Sequence, residues 1–96
     1  MSRALLDLER FQSLSKAMSS AAEAQEWDEL ARTELERSSL LATLPNDLSA
    51  KLPAAELAQG RVILERCQLL NQHTEKLVNE RQKALRILLR EPDPVS

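Results

Sequence analysis

Apolar residues recur every three or four positions in three long blocks of this chain, and that period is the period of an amphipathic α-helix. In the first block Ala4, Leu8, Phe11, Ser15, Met18 and Ala22 keep the spacing, and Leu14 and Ala21 widen the stripe. The pattern predicts a helix over 3–23. Ser2 is placed to cap it, and Asp7 and Glu9 lie near its positive end. Its last residues, Ser19-Ser20-Ala21-Ala22, are small and allow a neighbouring helix to come close.

A second helix is expected over about 26–43. Glu26, Asp28 and Glu29 favour its start electrostatically. Its expected apolar face is Trp27, Leu30, Ala31, Leu41 and Leu44, with Glu34 and Arg37 at the same spacing between them. The few residues joining it to the first helix force the two antiparallel. Pro45-Asn46-Asp47 stops it, and Asn46 or Asp47 can cap a short helical turn through Leu52. Pro53 then suits the start of a third helix over about 54–90. There the expected stripe is Leu57, Gly60, Leu64, Cys67, Asn71, Thr74, Val78, Arg81, Leu85 and Leu88, with Ile63, Leu70, Leu77 and Ala84 alongside. Arg86 and Arg90 sit at its negative end.

The fold class that follows is all-α: an antiparallel bundle of three main helices plus a short helical turn, the third helix long. One domain over 1–91 and a flexible tail over 92–96, set off by Pro92 and Pro94, is the expected organisation. A single Gly, no Tyr and few Val or Ile agree with helix and not sheet. At about 1.5 Å per residue the third helix would run about 55 Å, well past its partners. It either bends, most readily at Asn71-Gln72-His73-Thr74, or leaves its far end uncovered. In a chain of 96 residues, which buries a modest core, that end is the expected interaction surface: Leu77, Arg81, Leu85, Ile87, Leu88 and Leu89.

The chemistry offered is sparse. No cofactor, catalytic group or metal site is expected. The only Gly is in a helical block, so no phosphate loop forms, and one Cys and one His do not make a zinc site. Cys67 falls on the apolar stripe and reads as a plain buried thiol; His73 reads as solvated. Glu34 and Arg37 read as a half-exposed ion pair along their own helix, the alternative being a polar layer that fixes register with Asn71, Thr74 or Arg61 as partner. Trp27, the only Trp beside a single Phe, reads as a core residue pinning the helical hairpin, with an interface anchor as the alternative. Trp27, Glu34 and Arg37 are together the expected structural pin.

Net charge is −2, which argues against direct nucleic-acid binding. The halves differ: 1–60 carry six Lys or Arg against ten Asp or Glu, and 61–96 carry seven against five. The basic run Arg81, Lys83, Arg86, Arg90 reads as a solvated helical face. A lone Cys fits a reducing compartment. Asp7, Glu9 and Arg10 interrupt any signal-peptide core, and no block reaches the roughly 20 apolar residues of a membrane span. A cytoplasmic protein without membrane insertion is expected.

The order of a first amphipathic helix, then Ala24-Gln25-Glu26-Trp27-Asp28-Glu29-Leu30, then Glu34 and Arg37, then Leu40-Leu41, resembles flagellar export chaperones of the FliT type. The resemblance is most specific over 11–44 and purely helical over 54–90. It implies a non-enzymatic helical bundle that binds the filament-cap protein, FliD, and keeps it from assembling before type III export. It also implies contact with the export ATPase complex and, in some bacteria, with the flagellar master regulator. Fuller members carry a further C-terminal helix over part of the binding surface. The sequence here reaches Ser96 soon after Pro92 and Pro94, so masking by such a helix is not among the expectations. The competing expectation is a dimerisation or scaffold module, a homodimer in which two copies bury the overlong third helix.

Overall fold

A computed structural model describes residues 2–44 and 51–89. It contains α1 (Arg3–Glu23), α2 (Trp27–Thr43), a 3-10 turn (Ala54–Glu56) and α3 (Leu57–Leu89). The chain is an all-α bundle, as the periodicity predicts. The expected stop at 45–47, the short turn after it and the tail over 92–96 fall wholly or mainly outside the described residues.

Helix α1 starts where Ser2 caps it: the Ser2 Oγ accepts from the Leu5 amide at 3.1 Å. The same residue ties the helix start to the 3-10 turn. Its backbone N–H donates to the Glu56 carboxylate at 2.8 and 3.3 Å, and the Ser2 hydroxyl first, then that backbone N–H, hold the Glu56 carboxyl below its usual range.

The corner between α1 and α2 is a Schellman motif. The Glu26 amide donates to the Ala21 carbonyl at 2.8 Å and the Gln25 amide to the Ala22 carbonyl at 3.1 Å. The motif requires a left-handed residue, and Gln25 supplies it with φ 60°. Gly is the usual choice there because a Cβ is strained in that region. Gln25→Gly is therefore expected to raise stability by about 0.5–1 kcal/mol, read as a higher urea midpoint at unchanged m-value. A lower midpoint would show that the Gln25 side chain contributes more than its strained backbone costs.

Helix α1 is the spine. It packs along both α2 and α3, whereas α2 and α3 barely approach one another. Two apolar clusters form along it. Leu5, Leu8, Ile63 and Cys67 make the first, with Phe11 and Leu52 against them. Met18, Ala21, Ala22 and Leu30 make the second, with Trp27, Leu77 and Val78 against them. Gly60 serves the first cluster: a Cβ there would stand 2.7 Å from a terminal methyl of Leu52 and 3.5 Å from one of Leu8. Absence of a side chain at 60 thus lets α1, α3 and Leu52 close together.

The buried faces depart from the expected stripes in α2 and α3. In α2 the buried residues are Leu30, Thr33 and Leu40, while Ala31 and Leu41 are exposed. Thr33 tolerates burial on that face because its hydroxyl is satisfied within its own helix, donating to the Glu29 carbonyl at 2.9 Å. A self-bonded Thr presents a methyl to its neighbours and buries like a small apolar residue. In α3 the buried residues are Gly60, Ile63, Cys67 and Thr74. Leu57 and Leu64, placed on the expected stripe, are exposed, because they sit at the edge of the stripe that α1 does not reach. Thr74 repeats the Thr33 device, donating to the Leu70 carbonyl at 3.0 Å.

Helix α3 does not break at Asn71-Gln72-His73-Thr74; it is α-helical throughout its 33 residues. Asn71 and His73 use their side chains sideways, toward α2 and α1, and Thr74 bonds the Leu70 carbonyl one turn back without breaking the helix. His73 is not simply solvated: its Nε2 lies 2.9 Å from the Glu23 Oε1 at the end of α1. Unbroken, α3 is about 50 Å long, against about 32 Å for α1 and 25 Å for α2.

Candidate functional site

Two places in this bundle gather side chains that are not plain core, and they play different parts. The first is a polar layer between the two apolar clusters. Arg37, from α2, donates to the Ser15 Oγ of α1 at 3.3 Å and to the Asn71 Oδ1 of α3. Its guanidinium also lies 5.4 Å from the Phe11 ring centroid. One side chain thereby links all three helices. The expected Glu34–Arg37 pair does not form: Arg37 turns inward, and Glu34 stays exposed with no ion pair among the described residues. The register-fixing alternative, with Asn71 as the partner in α3, is the arrangement seen. Ser15 is buried with no orphaned polar atom, which explains why a Ser can occupy the centre of the α1 stripe.

Cys67 lies beside this layer, buried as the sequence suggests. Burial pushes its thiol above the usual range, while the Ser15 hydroxyl and the Arg37 charge pull the other way. Such a thiol is held neutral and shielded, which suits packing and not nucleophilic chemistry. Between α2 and α3, where the helices stay apart, a cleft of about 260 Å³ opens over Met18, lined by Leu30, Glu34 and Arg37 on one wall and Asn71, Thr74 and Val78 on the other.

The second place is the far end of α3. Every residue from Asn79 to Leu89 is exposed, so about three turns project beyond the helices that cover the rest of α3. The residues proposed for partner binding divide into three groups there. Leu77 is half-buried and packs on the Met18, Ala21, Ala22 and Leu30 cluster. Arg81 lays its guanidinium over the Trp27 ring, 4.6 Å from the centroid. Beyond them Leu85 is 36% exposed and Ile87, Leu88 and Leu89 are 73%, 78% and 76% exposed.

These end residues are not equivalent around the helix. At about 100° per residue, Arg81, Leu85 and Leu88 continue the line of Gly60, Ile63, Cys67, Thr74 and Leu77, the face that packs on α1. Leu89 lies at the edge of that line. Ile87 points roughly 160° away from Leu85. The inward stripe of the bundle therefore runs on past Arg81, which lies over Trp27, to Leu85 and Leu88, where every residue is exposed. Trp27 stands where cover ends: it is half-buried, packed on the second cluster from one side and capped by Arg81 from the other.

Among the described residues no three His, Cys, Asp or Glu side chains come together as a metal-binding group, and no helix is long and apolar enough to cross a membrane. The described elements define an all-α bundle whose packing stripe continues onto an uncovered extension of its longest helix.

A family model described as flagellar protein FliT matches residues 5–92. The chain belongs to the FliT family of flagellar proteins, as the segment around Trp27 suggested, and its role is in general terms that of a flagellar export chaperone. This is a chaperone family and not an enzyme family. No curated protein and no solved structure gives a match to the chain.

Proposed function

We propose that the chain is a cytoplasmic chaperone for a filament-cap protein of the FliD kind, holding it unassembled until type III export. The observation that carries this reading is the continuation of the α1-packing stripe through Leu85 and Leu88 onto a part of α3 that the bundle leaves bare. An amphipathic client helix laid there would extend the bundle by the same packing that builds it. The export ATPase complex and a flagellar regulator are further partners that the family suggests, and they would compete for or share this end of α3. No direct role for nucleic acid enters the proposal.

The test is a titration with the C-terminal segment of a cap protein. Burial of one exposed Leu contributes about 1.5–3 kcal/mol, so Leu85→Asp or Leu88→Asp is expected to weaken binding at least about tenfold. Far-ultraviolet circular dichroism should stay unchanged, since both residues lie outside the core. Ile87→Asp, on the other side of the helix, should weaken binding far less. Binding indifferent to Leu85→Asp and Leu88→Asp would remove this surface from consideration. The same stripe suits an isologous homodimer, the scaffold alternative. In that case mass by light scattering should fall on dilution, Leu88→Asp should yield a monomer, and the cap-protein segment should not bind the wild-type chain.

A further inference from the structure

Within the uncovered stripe one residue is out of character. Arg81 occupies the line between Leu77 and Leu85, where the rest of the inward face is apolar or small. Its guanidinium carbon lies over the Trp27 ring, 4.6 Å from the centroid, and it makes no hydrogen bond or ion pair among the described residues. A guanidinium carries five N–H donors in a fixed fork, and on the exposed Arg81 these are open to a carboxylate. The Trp27 contact also biases the side chain toward one placement, which lowers part of the entropy cost of forming a bidentate pair. The charges nearby agree: residues 79–89 carry Arg81, Lys83 and Arg86 against Glu80 alone.

Resting on the docking surface proposed above, we infer that Trp27 and Arg81 form a preorganised carboxylate receptor, and that the partner on this stripe is an acidic amphipathic helix. Geometry sets the partner's pattern. Arg81, Leu85 and Leu88 lie four and three residues apart on one line. A helix running alongside must offer Asp or Glu opposite Arg81 and apolar residues opposite Leu85 and Leu88. It therefore carries an apolar pair three residues apart with an acid four residues beyond, read in one chain direction or the other according to whether it docks parallel or antiparallel. The carboxylate binds the edge of the guanidinium, the two apolar residues cover Leu85 and Leu88, and Trp27 stays beneath Arg81 as its platform. Apolar area supplies affinity, while the acid at one position supplies register and selects among amphipathic helices.

Trp27 is the only Trp in the chain, so its fluorescence reports directly on the receptor. The experiment titrates the full chain with two designed amphipathic peptides of roughly 20 residues, long enough to fold on contact. They differ only in carrying Glu or Gln at the position opposite Arg81. The Glu peptide is expected to bind about tenfold more tightly than the Gln peptide at low ionic strength, in line with a charge-assisted bidentate pair, and to shift Trp27 emission. Arg81→Gln should abolish the preference while both peptides still bind, and Arg81→Glu should transfer it to a third peptide with Lys at that position. Equal affinity of the wild-type chain for the Glu and Gln peptides, with both dependent on Leu88, would overturn the receptor and leave the docking surface standing. A Glu preference that survives Arg81→Gln would equally overturn it. Failure of every peptide and of a cap-protein segment to bind would overturn receptor and surface together.

Discussion

Replacing Leu8 by Ala is expected to cost about 4 kcal/mol of stability, the upper part of the range for truncating a buried Leu. Leu8 is 1% exposed, at the centre of the cluster with Leu5, Ile63 and Cys67. The cost depends on how well the surroundings close over the lost methyls. Here they close poorly. Directly across from Leu8 stands Gly60, which has no side chain to move inward. Leu52 is the one flexible neighbour near Gly60, and it already reaches into that space. For a domain whose total stability falls in the usual range of about 5–15 kcal/mol, a loss of this size leaves a large part of the population unfolded at moderate temperature. Equilibrium urea unfolding measures it. A loss under about 1.5 kcal/mol would mean that α1 and α3 settle together once Leu8 is shortened. The variant with Leu52 also changed to Ala would then show strong non-additivity.

Trp27→Ala is the second large effect, with an expected loss of about 3 kcal/mol. Full burial of a Trp would put the cost at about 3–5 kcal/mol; Trp27 is half-buried, so the lower end applies. The lost contacts are those with Met18, Ala21, Ala22 and Leu30, together with the Arg81 stack, which contributes about 0.5–1 kcal/mol at a site open to water. The substitution has a second consequence that a purely structural Trp would not have. Without its platform Arg81 becomes an ordinary mobile side chain. Trp27→Phe keeps a ring under the guanidinium and should recover most of the stability, whereas Trp27→Leu should recover packing alone. Thermal unfolding of the three variants separates these contributions. If Leu and Phe restore stability equally, the ring face contributes nothing and Trp27 serves as apolar volume only.

The sequence reads Trp27 as a core pin or as an interface anchor, and the structure places it at the boundary between the second apolar cluster and the bare end of α3. Trp27 is held from below by the second cluster and covered from above by a residue of the bare end of α3. Sequence spacing could place Trp27 on the inner line of α2 near Leu30, but it carries no information on where α1 ends relative to Arg81.

Arg37 shows the same limit more sharply. Glu34 and Arg37 are three residues apart, which is sufficient for a pair along the helix, and an isolated helix gives no reason to turn Arg37 inward. The reason lies in α1 and α3: a buried hydroxyl at Ser15, the Asn71 amide oxygen and the face of Phe11 all converge on one point between the two apolar clusters. The Ser in the middle of the α1 stripe was the available signal. A polar residue at the centre of a buried face needs a partner, and Arg37 is the long donor able to reach it. Thr33 was missed for a related reason, whereas Thr74 stood on the expected α3 stripe. Their hydroxyls are satisfied within their own helices, so they act as small apolar residues despite their chemistry.

What the sequence determined alone is local: helix from periodicity and composition, the Ser2 cap, the antiparallel pairing of the first two helices across a short connection, and the family through the segment around Trp27. Each rests on interactions between residues a few positions apart, which spacing encodes directly. Tertiary structure decided the rotation of α2 toward Thr33 and Leu40, the inward turn of Arg37, the continuity of α3 through Asn71 and Thr74, and which of the exposed α3 residues share a line with the core. Those outcomes depend on what lies across the interface at each height of the bundle. Residues such as Ser15, Gly60 and Asn71 acquire their meaning only when the helices are brought side by side.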